Sequence, residues 1–462
     1  MLVLCALLVG CSGTLPLEPG ASPTLRPAAP ASTNPWPSVP PAPTGELTDD
    51  VAAAVDTLVG AFGPGRLDRD ALDVVARSGD ARLAWLLADL LRFATPGGVE
   101  TSLVDAFATL TGVDPRAEER FGRVAWVAVT NLLIGWDLPA PPGYRERKAA
   151  LFLDVEPAWE RIFADEQATI DWRWLSWGGV LIDDRELGDA GPCRRGCIPA
   201  LDDPVLVPAA EGAWYADWRP VFGVVVGEQA VAFPKHIMEV HELVNLTIGG
   251  RRIGLPYCTL CASAQAYLTD AVPGADEPLV LRTSGLLSRS NKVMMDLASG
   301  STFNTFTGRA TSGPLRELGV VLEQVTVVAT SWGEWKAAHP STTIVARDAG
   351  IGRSYPDDPL EGRDEAGPVF PVGPIDARLP AQHRVVGVVP ATGPPVAFPA
   401  DQALAELAAG RRVRLGDLEA FEDGGGLRVR TVGGEELPAH AAFWFAWSQF
   451  HPGTAVWSPL DP

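Results

Sequence analysis

From Leu47 to about Asp171 the apolar residues recur at helical spacing. Leu72, Val75, Leu83, Leu86, Leu87, Leu90 and Leu91 predict one or two helices, Leu103, Phe107 and Leu110 another, and Val124 to Leu133 a third. Thr95-Pro96-Gly97-Gly98, Asp114-Pro115 and Pro139 to Gly143 punctuate them. The pattern predicts an α-helical N-terminal domain over residues 46–172, built of stacked helix pairs. No catalytic constellation falls in it, so packing or docking of a protein partner is its expected role.

Beyond Ile198 the texture changes to short β-branched runs broken by Gly and Pro, which predict strands. Here the chain repeats itself. Val221-Phe-Gly-Val-Val, leading to Val231-Ala-Phe-Pro234, returns as Val385-Val-Gly-Val-Val and Val396-Ala-Phe-Pro399. Farther on, Trp332-Gly-Glu-Trp335 with His339-Pro340 and Thr342 matches Trp444-Phe-Ala-Trp447 with His451-Pro452 and Thr454. The expected fold is therefore α+β: an α-helical N-terminal domain, then a β-rich, internally duplicated C-terminal domain with repeats at 173–346 and 347–462. Each unit opens on a hairpin and closes on a short helix that the Pro of His-Pro stops. Trp residues at i and i+3 share a helix face and read as core. The second unit is much the shorter, so chemistry is expected in what the first alone contains.

The N-terminus adds a compartment. Leu2 to Gly10 is apolar or small and ends at Cys11, far short of the roughly 20 residues of a spanning helix, so residues 1–11 read as a signal peptide. Leu8-Val9-Gly10-Cys11 resembles the lipobox of bacterial lipoproteins, in which the Cys becomes a lipidated N-terminus, although no Lys or Arg precedes the run. Residues 12–45, rich in Pro, Ala, Ser and Thr, read as a semi-extended tether. The expectation is an exported protein of the cell envelope, anchored to a bacterial membrane by lipid on Cys11.

Composition narrows the partners. Lys+Arg 37 against Asp+Glu 57 gives a net charge of −20, which argues against nucleic acid, since phosphate binding needs a basic face. Hydrophobic residues at 47% and charged ones at 20% exclude wholesale disorder. Neither a dinucleotide-binding nor a phosphate-loop motif is present, Gly249-Gly250 reading as a hairpin turn, so no nucleotide cofactor is expected.

The chemistry concentrates in residues 235–310. Cys258 and Cys261 follow the strand-like run Ile253 to Tyr257 and precede Ala262 to Leu268, which has helical propensity. At a helix N-terminus such a pair gains thiolate character and either cycles between dithiol and disulfide or supplies two soft metal ligands. His241 and Met238, three residues apart on a predicted helix, and Met294 or Met295 are candidate companions. Thiolate, imidazole and thioether together suit copper, and two Cys with two His suit zinc. Asn291 and Asp296 are read as polar groups that orient a ligand. A plain Cys258–Cys261 disulfide is the structural alternative.

With Cys11 lipidated and Cys5 removed, four thiols remain and allow three pairings, of which a local Cys193–Cys197 disulfide is the default in an oxidising compartment. His241-Glu242-x-x-Asn245 differs from the helix-borne zinc-hydrolase pattern in its Asn, a poor zinc ligand. Ser263, Ser284 and Ser290 lack a Gly-x-Ser-x-Gly elbow, so a Ser-His-Asp hydrolase with His241 and Asp296 has no positive support.

These residues also carry a resemblance. Gly196-Cys197-Ile-Pro-Ala-Leu-Asp-Asp-Pro204, Pro256-Tyr-Cys258-Thr-Leu-Cys261, Ser284-Gly-Leu-Leu and Ser290-Asn-Lys-Val-Met-Met-Asp296 are similar to the family catalogued as domain of unknown function 3179, found in exported prokaryotic proteins. The similarity runs to Pro340, with a family-like ending over Phe443 to Thr454. Leu246, Thr259, Phe303 and Thr305 depart from the pattern. The resemblance implies a site but no reaction. The chain thus reads as an envelope lipoprotein with a Cys/His site for copper, zinc or thiol–disulfide chemistry. The rival is a non-catalytic envelope scaffold with a structural disulfide.

Overall fold

The computed structural model describes residues 36–193 and 195–459. The signal peptide, Cys11 and most of the expected tether lie outside the described residues. Trp36 to Gly45, the end of that tether, packs on the helical region instead. Trp36 meets Phe121 edge-on at 5.3 Å, Trp136 Nε1 donates to Pro37 O at 2.8 Å, and Arg82 donates to Gly45 O at 3.0 Å.

The helical region holds Asp49–Ala61, Arg69–Arg77, Ala84–Phe93, Gly98–Thr111, Ala125–Trp136 and Tyr144–Val155. Local chemistry sets their ends. Asp68 caps the second by accepting from Ala71 N, and Gly112 ends the fourth in the left-handed region at φ 74°. Ala84–Phe93 is buried over nearly its whole length, with the remaining helices around it. Its Asp89 therefore sits in the core, held by Lys148 Nζ at 2.6 Å and Tyr144 Oη at 2.7 Å. Among the described residues no helix is long and apolar enough to cross a membrane.

Among the described residues the β-rich remainder forms five sheets in a propeller-like arrangement. Two of them share one plan. The hairpin Pro220–Val226/Gln229–Pro234 is flanked by antiparallel Val327–Ser331 and parallel Thr343–Val345. The hairpin Arg384–Val388/Val396–Pro399 is flanked by antiparallel Ala439–Phe443 and parallel Ala455–Val456. Helices Trp332–Ala338 and Trp444–Phe450 follow the same strand in each. Trp335 Nε1 donates to Thr342 at 3.0 Å, and Trp447 Nε1 to Thr454 at 2.9 Å. Both indoles lie so close over Gly223 and Gly387 that a Cβ on either glycine would overlap the ring.

The first plan is expanded by two further sheets. One contains the hairpin Leu281–Ser288/Asn291–Asp296, the other the hairpin Leu243–Ile248/Arg251–Cys258, turned at Gly249 and Gly250 with φ 57° and 77°. The helical and β-rich parts share one core, in which Leu286, Val293 and Met295 join the helix residues. Between Val345 and Arg384 the chain forms a long strap without helix or strand, where the second repeat was expected to begin. It is pinned at intervals. Tyr355 meets His241, Asp357 pairs with Arg219, Asp364 with Lys235, and the Val372 and Gly373 amides donate to Asn131 Oδ1.

Candidate functional site

Cys258 and Cys261 lie on a hairpin turn. Strand Arg251–Cys258 folds back onto Ser263–Ala264, pairing Cys258 with Ser263, and Ala262 takes φ 46° to make the bend. The helix expected over Ala262 to Leu268 is not formed. Leu268 pairs with Ile253 and Ala266 with Val325, so ladders on both sides outweigh the local helical propensity. The cysteines therefore receive no help from a helix dipole.

Both are free thiols, 2% and 0% exposed. Cys261 Sγ donates to Ser290 O at 3.2 Å, and Cys258 Sγ lies 3.8 Å from the same carbonyl. Lys292, from the facing strand, sets the local field. Its ammonium donates to Glu242 O at 2.6 Å and to the Glu242 carboxylate at 3.2 Å, while Thr259, between the cysteines, donates to the same carboxylate at 2.8 Å. Burial works to raise the Cys258 thiol, but the Cys261 hydrogen bond and the Lys292 amide and ammonium outweigh it and hold Cys258 below its ordinary value. Burial and the neighbouring Cys258 sulfur push Cys261 well up. The pair has one acidic thiol and one reluctant one.

The other expected ligands are placed elsewhere. His241 Nδ1 donates to Pro199 O at 2.7 Å, which leaves Nε2 to accept from Tyr355 Oη at 2.8 Å. With both ring nitrogens engaged away from the thiols, the structure does not bring His241 to the cysteines. Met238 and Met294 each pack in a different apolar cluster from that of the cysteines, because the strand and helix faces that carry them point into separate cores. Asp296 accepts from Val280 N and Ser299 N, closing a turn. Asn291 does reach the site, hydrogen bonding Cys261 and donating to Ser263 Oγ at 3.2 Å. The His-Glu-x-x-Asn pattern is split, since its helix ends at His241, Glu242 turns at φ 52°, and Asn245 lies on a strand. Ser284 and Ser290 hydroxyls are spent on Val293 O and Gln449 Oε1.

Cys193 and Cys197 stand at disulfide distance, their Cα atoms 5.3 Å apart. With Asp183 they form the one group of potential metal ligands gathered among the described residues. The Asp183 carboxylate is already held by Arg185 at 2.7 and 2.9 Å and by Ala200 N at 2.8 Å, so it makes a poor free ligand.

A cavity of about 380 Å³ ends against the cysteine turn, where Thr259 and Leu260 form part of its wall with Glu239, Glu242, Lys292 and Arg363. Lys292 was not singled out from the sequence, and Glu242 was read only within the His-Glu-x-x-Asn pattern. The signal was a lone Lys in a chain that has few, but its partner is 50 residues away and only the fold joins them.

No curated protein and no solved structure matches the chain. Residues 195–419 match the family model described as protein of unknown function, DUF3179. This span holds the cysteine turn, Glu242, Lys292 and the strap, and it is this part of the chain that belongs to the DUF3179 family.

Proposed function

We propose that Cys258 and Cys261 form a reversible dithiol–disulfide couple. One observation carries the reading: two reduced thiols share one turn and one acceptor, Ser290 O, and the hydrogen bond between them, with Lys292 nearby, favours the thiolate on Cys258 over that on Cys261. A thiolate with an adjacent thiol is what disulfide formation requires. In the forward step the two thiols release two electrons and two protons to a disulfide- or peroxide-class oxidant, and one S–S bond joins them. Asn291 and Thr259 position the turn through Ser263 and Glu242.

The setting completes the proposal. The lipobox-like Leu8 to Cys11 supports export and a lipid anchor, and loss of fatty-acid labelling in Cys11→Ala is the check. The matched hairpins, helices and Trp–Thr bonds support a duplicated unit, in which the cysteine pair belongs to the expanded first copy. The helical region is the candidate surface for a protein partner.

The test is equilibration of the full chain in graded ratios of oxidised to reduced dithiothreitol, alkylation, and mass mapping of the 258–261 peptide. Conversion to a disulfide within the accessible range supports the couple. Thiols that stay reduced at every ratio would sink it. Stoichiometric copper or zinc lost in Cys258→Ser would replace it with the rival in which the thiols hold a soft metal.

A further inference from the structure

Behind the cysteine turn the interior is polar. Gln265, fully buried, follows Ser263 by two residues and precedes Tyr267 by two. Ser263 receives the hydrogen bond from Asn291, and Tyr267 Oη donates to Thr305 O at 2.6 Å. Gln324, paired with Tyr267 across the ladder, donates to His440 Nδ1 at 3.0 Å, which leaves the proton of that ring on Nε2. The His440 ring meets Phe306, next to Thr305, at 5.0 Å. Asn291 in turn touches Cys261. These contacts gather Asn291, Thr305 and His440 around the dithiol, and Gln265 follows Ser263 on the chain leaving the cysteine turn.

Their remaining polar atoms find no partner in the protein. Both amide atoms of Gln265, Asn291 Oδ1, Thr305 Oγ1 and His440 Nε2 are buried and unpaired. Burying such a group without a partner is costly, so a cluster of them marks a place for a small guest that both donates and accepts hydrogen bonds. The thiols beside it are buried, so the smaller an oxidant is, the more readily it reaches them.

We propose that the oxidant of the Cys258/Cys261 pair is hydrogen peroxide, seated by Gln265, Asn291, Thr305 and His440. The inference rests on the dithiol reading and names its substrate class. Cys258 thiolate attacks one peroxide oxygen; the O–O bond breaks, an S–O bond forms, and hydroxide leaves as water after taking a proton. The Cys261 sulfur then attacks Cys258, the S–S bond forms, the S–O bond breaks, and a second water leaves with the Cys261 proton. Two thiols and one peroxide thus give one disulfide and two waters.

The experiment mixes the reduced full chain with hydrogen peroxide or, in parallel, with oxidised glutathione at equal concentration, and follows the 258–261 disulfide by alkylation and mass mapping. Peroxide is expected to close the pair faster by roughly tenfold or more, since access selects for size. In Cys261→Ser, dimedone should trap a sulfenic acid on Cys258. Gln265→Met, which keeps the volume and removes the amide, should slow peroxide oxidation roughly tenfold at unchanged melting temperature. An unchanged peroxide rate in Gln265→Met, with water as the cluster's only guest, overturns the proposal. Glutathione disulfide closing the pair as fast as peroxide overturns it and leaves the dithiol couple standing. Failure of both oxidants overturns both readings.

Discussion

Lys292 Nζ lies 2.6 Å from the backbone carbonyl of Glu242, and this contact fixes a cation beside Cys258 on a strand separate from that of the thiol. Glu242 exposes its carbonyl there because it ends a helix in the left-handed region, with φ 52°. A helix terminus, a strand and a hairpin turn thereby meet at one charge.

Removing that cation tests the electrostatics. Lys292→Met should move the midpoint of Cys258 alkylation by iodoacetamide to higher pH, because the amide and ammonium that favour its thiolate are reduced to the amide alone. It should also destabilise the protein by about 3 kcal/mol, since it leaves the Glu242 carboxylate, 14% exposed, without its partner. An alkylation profile that does not move would show that Lys292 does not tune the thiol.

The paired glycines test the equivalence of the two sheets. Gly223→Ala and Gly387→Ala each force a methyl into an indole, of Trp335 and Trp447 respectively. Both should lose about 1–3 kcal/mol in urea unfolding, as overpacked cores do. A large loss at one and none at the other would mean that the two units do not use their Trp–Gly contact alike.

Buried histidines should make the fold sensitive to mild acid. Burial lowers His440 from 6.5 to about 3, and lowers His236, His241 and His451 to about 4. Their depressed folded values mean that the unfolded chain binds more protons between about pH 6.5 and 4. Stability is then fully present above pH 6.5 and falls as pH drops through that window, by up to about 1.4 kcal/mol per pH unit for each histidine. Urea unfolding at pH 7, 6, 5 and 4 reads the slope, and His440→Gln should flatten it. Constant stability across the window would contradict these environments.

The strap is held at Tyr355. Tyr355→Phe removes the hydroxyl that His241 Nε2 accepts from, and should cost about 1–3 kcal/mol by leaving a buried nitrogen unpaired. Limited proteolysis should then cut within residues 346–383 faster than in the native chain. Equal cutting rates would place the strap's hold at Asp357, Asp364 and Asn131 instead.

How much of this was legible beforehand follows from the range of the interactions. Helical spacing announced the N-terminal region, and Gly249-Gly250 announced its hairpin, because caps and turns depend on neighbours a few residues apart. The recurrence of Trp332 to Thr342 in Trp444 to Thr454 pointed to matching units, since one Trp–Thr bond closes each within seven residues. The Cys-x-x-Cys at 258 and 261 identified the candidate site by chemistry alone.

Its environment was decided by contacts that no local pattern encodes. Ala262 to Leu268 favours a helix by propensity and becomes strand because Ile253 and Val325 offer ladders on either side. His241 looked like a ligand from its place on a helix, and was claimed by Pro199 and Tyr355, 42 residues before it and 114 after it. Lys292 and Glu242, and likewise Gln324 and His440, meet only because elements of separate sheets pack together. The sequence by itself determined which residues could do chemistry and which short elements would form. The tertiary structure alone decided which of them meet, because burial and charge pairing act over distances in space that separation along the chain does not constrain.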